Sequence, residues 1–264
     1  MERRFFGSSA EGEKMKKLYE KSEITFAIMW IIIYTVCMGN LRRLGDDSPV
    51  LMISLIVVSA LMFLCVRITG TMEYYGLTGW AQNSKAMLWF IPLWIISSLN
   101  IWGGFSPDYP MPGLLYAAVM MAFVGFAEEL IFRGFLFKAI LKDGNVRTAI
   151  IISSVTFGLG HILNLLIGQD LIETLVQIVF AVAVGFVFTM TFYKGGSLWP
   201  CILAHSVIDV TSVFFSGSSV VLSWIIHIIV FALSIIYCIY LAKRVETPAI
   251  NRVIEGSGSN QADV

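Results

Sequence analysis

A long apolar run occupies positions 113–140 and reads GLLYAAVMMAFVGFAEELIFRGFLFKAI. A helix needs about 20 apolar residues to cross the hydrocarbon core of a bilayer, so this run is long enough to span one. It also carries Glu128, Glu129 and Arg133, and a charge at membrane depth costs about 2.5–3.5 kcal/mol on insertion scales. Such charges pair with one another or line a wet cavity, so they mark the place to look for chemistry.

The rest of the chain is similarly apolar. Hydrophobic residues make up 57% of the sequence and charged residues 14%, and the mean hydropathy is +0.80. A soluble domain is about a quarter charged, so this chain has too much apolar surface for one water-soluble core and requires a lipid bilayer as its solvent. The formal net charge is zero, and we expect no nucleic-acid partner. The cysteines form no CxxC pair, which argues against a zinc–thiolate site and against a disulfide framework.

We predict an all-α fold, a polytopic transmembrane helical bundle of about eight spans. Pro92 is expected to kink the third span, whereas Pro200 falls in the first turn of the seventh, where proline is tolerated. The predicted organisation is a cytoplasmic segment at 1–23, a bundle at 24–242 with the chemistry within 113–215, and a polar C-terminal tail at 243–264. The predicted spans lie near 24–41, 50–69, 86–103, 113–140, 147–167, 171–193, 196–215 and 219–242.

Lysine and arginine placement predicts the orientation, because basic residues concentrate on the cytoplasmic side. With eight spans, fifteen of the 18 basic residues fall on the side of the N-terminus. Arg42 and Arg43 fall on the opposite side, and Arg133 is left within the membrane. We therefore expect a multi-pass protein of the plasma membrane with both termini in the cytoplasm.

Spacing separates the roles of the two glutamates. Glu129 and Arg133 stand at i and i+4, so their side chains lie on one helix face and can pair. Glu128 points about 100° away around the helix and is free to act. A carboxylate in an apolar pocket is a stronger base than one in water. The alternative is a structural pair beside a second glutamate that reaches towards the membrane surface.

Two later spans carry further polar side chains. His161 and Asn164 lie one turn apart in the fifth span, and His205 and Asp209 stand at i and i+4 in the seventh. Counted along the helices from the same side, Glu128 and His205 lie at roughly 15 Å and His161 at roughly 21 Å. Three spans with polar groups at similar depth predict one shared site.

The order of these residues resembles the CPBP family, which includes the type II CAAX prenyl endopeptidases and the bacterial Abi proteins. The motifs are Glu-Glu-x-x-x-Arg, Phe-x-x-x-His and His-x-x-x-Asn/Asp on separate membrane helices. In this chain they lie at 128–133, 157–161 and 205–209. The resembling stretch runs from about 113 to 215, somewhat under half of the chain.

The resemblance implies an intramembrane endopeptidase that hydrolyses a peptide bond in a membrane-associated or lipidated substrate. Glu128 would be the general base that activates water, and Glu129 would be held by Arg133. His161 and His205 would position that water or the scissile carbonyl. The implied partners are the lipid bilayer and a peptide or lipidated protein.

The third motif departs from the family at its last residue. An asparagine helps to form the oxyanion site of the CAAX endopeptidases, and here the position is Asp209. An ionised aspartate cannot donate to an oxyanion. Either Asp209 is protonated, or it orients His205, or Asn164 provides the donor.

A metal is a further alternative. Two histidines and a glutamate form a plausible zinc set, which here would be His161, His205 and Glu128. Family proteins are often called metalloproteases, yet the CAAX endopeptidases resemble enzymes that work through glutamate and water without zinc. The resemblance therefore favours no tightly bound metal.

Two other classes of function share some of these features. Intramembrane Glu, His and Asp also mark proton-coupled transporters, although the inverted repeats typical of transporters are not visible in the sequence. A non-catalytic scaffold or immunity protein could keep the same fold. His227 has no acidic neighbour in the sequence, and we expect its role to be structural.

Overall fold

The computed structural model describes residues 10–142, 144–216 and 219–252. These residues are mostly helical, and they contain no β-strand beyond an isolated bridge between Ser106 and Phe215. The α-helices are α1 (Ala10–Lys21), α2 (Glu23–Leu41), α3 (Pro49–Thr69), α4 (Ile91–Ser98), α5 (Gly113–Glu129), α6 (Lys138–Lys142), α7 (Val146–Gly160), α8 (Leu171–Gly195), α9 (Trp199–Phe214) and α10 (Val220–Arg244).

Two departures from α-helical geometry begin at predicted site residues. A π-helical segment, Leu130–Phe137, joins α5 to α6 directly after the two glutamates. A 3₁₀ segment, His161–Ile167, continues α7 from the first histidine onward. π-helical turns often occur at functional sites, so these departures locate the site within otherwise regular helices.

In the part of the chain that the structure describes, six helical stretches are long and apolar enough to cross a membrane, and the predicted count of eight is not confirmed. The third and seventh predicted spans correspond to the shorter apolar helices Leu88–Gly103 and Trp199–Phe214. Pro92 does not kink a long helix as predicted. It lies in the first turn of α4. A proline is tolerated there because the N–H group that it lacks would have no partner within the helix. The long stretches are Glu23–Leu44, Pro49–Thr69, Gly113–Lys142, Val146–Ile167, Leu171–Gly195 and Val220–Arg244.

The helices alternate between two ends of the bundle. At one end, here called the Lys138 end, Lys142 donates to Glu23 at 2.7 Å, and the amide of Asn83 donates to the carbonyl oxygen of Lys194 at 3.1 Å. At the other, the Arg42 end, a guanidinium N–H of Arg42 donates to Asn164 at 3.1 Å.

Both shorter helices also connect the two ends. Ser197, just before α9, donates to the carbonyl oxygen of Gly79 at the Lys138 end. At the Arg42 end the amide of Ser106, after α4, donates to the carbonyl oxygen of Phe214, the last residue of α9. Within the described residues the chain therefore runs between the two ends eight times, although two of these passages are not among the six long apolar stretches.

Part of the predicted polar tail packs against the bundle. Lys138 Nζ donates to the carbonyl oxygen of Ile250 at 2.7 Å and to Asn251 Oδ1 at 2.9 Å. Asn251 Nδ2 in turn donates to the carbonyl oxygen of Phe192 near the end of α8. Lys138 and Asn251 are both buried, so this strap closes the Lys138 end. Residues 1–9 of the predicted N-terminal segment and 253–264 of the predicted tail lie outside the described residues.

Helices α5 and α9 approach so closely that only glycine fits at position 125. A Cβ atom on Gly125 would lie 2.6 Å from both the backbone nitrogen and the hydroxyl oxygen of Ser206. Ser206 also donates a hydrogen bond to the carbonyl oxygen of Ala122 at 2.9 Å. Because Glu128 is one turn beyond Gly125 and His205 precedes Ser206, this contact sets the separation of the two helices at the site.

We predict that Gly125→Ala lowers the free energy of unfolding by about 1–3 kcal/mol, because overpacking forces the backbones apart. The matched control is Gly39→Ala on α2, where a Cβ atom would meet nothing within 4 Å. Thermal unfolding of the detergent-solubilised protein measures both variants. Equal stability of the two variants would show that the α5–α9 contact is not tight.

Candidate active site

Glu129 is the buried centre of a charged chain across three elements. Its Oε1 accepts from Arg133 at 2.7 Å and lies 2.8 Å from His205 Nδ1. Both side chains of the Glu129–Arg133 pair are completely buried. The i, i+4 spacing predicts the pair with Arg133, whereas the bond to His205 joins α5 to α9 and depends on packing.

Aromatic rings and a backbone carbonyl surround the arginine. The guanidinium carbon of Arg133 lies 4.2 Å from the ring centroid of Phe157 and 5.3 Å from that of Phe188. A guanidinium N–H also donates to the carbonyl oxygen of Gly185 on α8 at 3.3 Å. A guanidinium stacks well on ring faces and is weakly hydrated, so this environment suits a buried arginine.

Glu128 points away from that chain, as its position on the helix predicts. Its Oε1 accepts a hydrogen bond from the hydroxyl of Tyr34 at 2.8 Å. Its Oε2 lies 3.8 Å from His205 Nε2. The side chain of Glu128 is 15% exposed and that of Glu129 is fully buried, so Glu128 is the glutamate that a bound molecule can reach.

His205 is held from both sides of its ring. Nδ1 donates to the carboxylate of Glu129, and Nε2 lies 3.4 Å from Asp209 Oδ2 on the next turn of α9. The ring stacks on Phe188 with centroids 5.3 Å apart. Nε2 is thus the nitrogen that faces both Glu128 and Asp209, in a ring whose orientation is fixed.

Asn164 is engaged away from His205. Its Oδ1 accepts from Arg42 at 3.1 Å, and its Nδ2 donates to Gln177 Oε1 at 2.8 Å. Arg42 also forms a salt bridge with Asp46 at 3.0 Å. The side-chain amide is therefore part of a network at the Arg42 end of the bundle.

A first cavity, of about 90 Å³, lies on the Glu128 side of the site. Tyr34 and Arg42 from α2 and its 3₁₀ extension line it together with Glu128. Phe157 and His161 form the opposite wall. A carboxylate, a phenol, a guanidinium and an imidazole therefore face one small space.

A second cavity, of about 290 Å³, lies on the His205 side. His205 and Asp209 from α9 line it, and His227 from α10 forms part of its far wall. Phe157 and His161 line this cavity as well as the first. His161 therefore stands at the boundary between the two cavities, within reach of both.

The zinc set that the sequence left as an alternative, His161, His205 and Glu128, does not fit this arrangement. Among residues 10–142, 144–216 and 219–252, no group of three or more His, Cys, Asp or Glu side chains is placed to hold a metal ion. Nδ1 of His205 is bound to Glu129, and its Nε2 faces two carboxylates at 3.4–3.8 Å. No step is therefore assigned to a metal.

Three residues of the site were not predicted from the sequence. Tyr34 and Arg42 lie outside the motifs, and Arg42 was assigned only to a loop on the outer side. His227 lines the second cavity, and its Nδ1 donates to the carbonyl oxygen of Ser223 at 2.6 Å. A lone tyrosine or histidine in an apolar helix gives no distinctive signal, so only packing reveals these residues.

Most of the site residues lie in a segment that matches a known protein family. Residues 110–211 match the family model described as type II CAAX prenyl endopeptidase Rce1-like. The matched segment, which is under half of the chain, is similar to the Rce1-like family. The Rce1-like match contains all three motifs and confirms the resemblance to the CAAX endopeptidases, but it does not support the Abi part of that resemblance. Searches of curated proteins and of solved structures returned no match for the chain.

The Rce1-like family indicates a protease, a hydrolase of peptide bonds. Together with the apolar helices, it indicates a membrane protein whose surroundings are a lipid bilayer. The two glutamates, both site histidines and Asp209 fall within the matched segment, whereas Tyr34 and His227 lie outside it.

We predict that Arg133→Met destabilises the protein by about 3–5 kcal/mol, because it leaves Glu129 as a buried charge without its cation. Glu129→Gln combined with Arg133→Met should recover part of the loss, because the glutamine is neutral and still accepts from His205. Arg147→Met, an exposed arginine on α7, is the control. Thermal unfolding in detergent measures these three variants and the single variant Glu129→Gln, and additive effects of the two substitutions would contradict the pairing.

Proposed function

We propose that the protein is an intramembrane endopeptidase in which Glu128 activates water for attack on a peptide bond. The observation that carries this proposal is the pairing pattern of the two glutamates. Glu129 accepts from two basic side chains at 2.7 Å and 2.8 Å. Glu128 accepts from the neutral hydroxyl of Tyr34 and lines a cavity, so its carboxylate can contact a water bound there.

The proposed reaction is hydrolysis by general base catalysis. A water held by Glu128 Oε2 would lose its proton to that carboxylate as its oxygen attacks the scissile carbonyl carbon. The carbon–nitrogen bond would then break, and Glu128 would return the proton to the leaving amine. The products are a new carboxyl group and a new amino group. A positioned general base of this kind contributes about 10²–10⁴-fold to a rate.

The histidines would position the reacting atoms. His205 Nε2 faces the reaction side at 3.8 Å from Glu128 Oε2, so a water or carbonyl oxygen that contacts both atoms would lie beside the line that joins them. Asp209, at 3.4 Å from the same nitrogen, would orient His205 rather than donate to an oxyanion. Asn164 is engaged by Arg42 and Gln177, so we assign carbonyl binding to His161.

The proposed substrates are peptides or lipidated proteins that reach the active site within the membrane. We place the protein in the plasma membrane with both termini in the cytoplasm, on the basis of its lysine and arginine distribution. The described residues agree with the sidedness of that distribution, since Lys138, Lys142 and Lys194 gather at one end of the bundle.

We predict that Glu128→Gln abolishes proteolysis, with a rate loss of about 10²–10⁴-fold, and leaves the folded protein intact. Comparative peptidomics of cells with the wild-type protein or the variant should show products that disappear with Glu128→Gln. Glu173→Gln, an exposed glutamate near the start of α8, is the matched control and should preserve those products.

Identical peptide profiles for wild type and Glu128→Gln would contradict the proposal. In that case a phenotype preserved by the variant would point to a binding role, and a lost proton-dependent flux would point to transport. Metal analysis of the purified protein, run on the same samples, tests the assignment of the chemistry to glutamate and water alone.

A further inference from the structure

The site is closed on one side and open on the other, along the axis of the bundle. Towards the Lys138 end, the chain beyond Glu129 continues into fully buried side chains. Towards the Arg42 end, both cavities extend between polar groups. The side from which a molecule reaches Glu128 therefore follows from the fold.

The closed side is a layer of large buried residues. Arg133 stands one turn below Glu129 towards the Lys138 end, and Phe135 and Phe137 follow within the π-helical segment. Phe188 and Phe192 of α8 fill the same layer from the facing helix. All of these side chains are at most 1% exposed, so neither water nor a peptide can pass between them without opening the core.

Lys138 adds a second barrier below that layer. Its ammonium group lies 4.2 Å from the ring centroid of Tyr74 and is tied to the C-terminal strap through Ile250 and Asn251. The ammonium group donates its hydrogen bonds to oxygen atoms of the protein. The end of the bundle that is rich in basic residues is therefore sealed.

The open side carries the polar linings. The first cavity extends from Glu128 past Arg42 and Asn164. The second extends from His205 along α9 past Asp209 to Ser212. It also reaches Gln177 on α8. Since α9 runs towards the Arg42 end and α8 begins there, both cavities extend from the reacting groups towards the Arg42 end.

Charge distribution relates these ends to the membrane. Fifteen of the 18 basic residues belong by position to the side of the N-terminus, which by the positive-inside rule is cytoplasmic. We propose that the aqueous opening of the active site faces the non-cytoplasmic side and not the cytoplasm, so its substrates are polypeptide segments on that side of the membrane. That these segments are substrates rests on the proposed function, whereas the direction of opening rests on the cavities and the buried layer.

The consequence for substrate class is specific. The lipidated tail of a protein that reaches the membrane from the cytoplasm would meet the sealed Lys138 end. An exported peptide, or the non-cytoplasmic flank of a membrane-inserted segment, would meet Arg42 and the cavities. Arg42 keeps its charge beside Asp46 and donates to Asn164, so the entrance is polar.

Thiol labelling tests the direction independently of activity. In a full-length background with Cys37, Cys65, Cys201 and Cys238 replaced by alanine or serine, single cysteines are introduced and spheroplasts are treated with a membrane-impermeant maleimide. Ser212→Cys reports the second cavity. Asp108→Cys is the exposed reporter of the Arg42 end, and Glu73→Cys is that of the Lys138 end.

We expect Ser212→Cys and Asp108→Cys to be labelled in intact spheroplasts, and Glu73→Cys to be labelled only after permeabilisation. Labelling of Ser212→Cys only after permeabilisation, or protection of it under both conditions, overturns the proposal. Labelling of Glu73→Cys from outside overturns the orientation. Adding Glu128→Gln to the Ser212→Cys protein should leave labelling unchanged, so loss of catalysis and loss of access are separate outcomes.

Discussion

Arg133 carries its charge inside the helical bundle, with no exposed surface. Its guanidinium binds Glu129 on its own helix and the carbonyl oxygen of Gly185 on α8, and Glu129 continues the chain to His205 on α9. In a low-dielectric interior each partner left alone would cost several kcal/mol. The three elements must therefore meet in one register, and that register brings Glu128 to His205.

The local part of this arrangement could be predicted from the sequence. An i, i+4 pair depends only on helix geometry, so the pairing of Glu129 with Arg133 could be predicted from one apolar run. The Rce1-like motifs place His161 and His205 on other helices at similar depth, which limits the site to a few residues. Most predicted spans correspond to helices of the structure for the same reason, since length and hydropathy are local properties.

The remaining parts depend on which helix faces are neighbours, and the sequence does not specify that. Spans that are apolar all round carry little amphipathic signal, so Tyr34 could not be assigned to Glu128, nor His227 to the second cavity. The third predicted span corresponds to a shorter helix than the predicted range 86–103. Its apolar run includes Pro92, and the run from Leu88 to Phe90 takes positive φ before the helix begins at Ile91, so hydropathy alone overestimated the helix.

The difference between two adjacent glutamates then determines the chemistry. Glu129 Oε1 accepts from both Arg133 and His205. Glu128 accepts from the phenol of Tyr34 and lines the first cavity. The same helix thus holds one glutamate between two basic side chains and turns its neighbour towards a cavity, because a one-residue step turns the side chain about 100°. We infer that the fold uses the first carboxylate to position His205 and the second to take the proton from water.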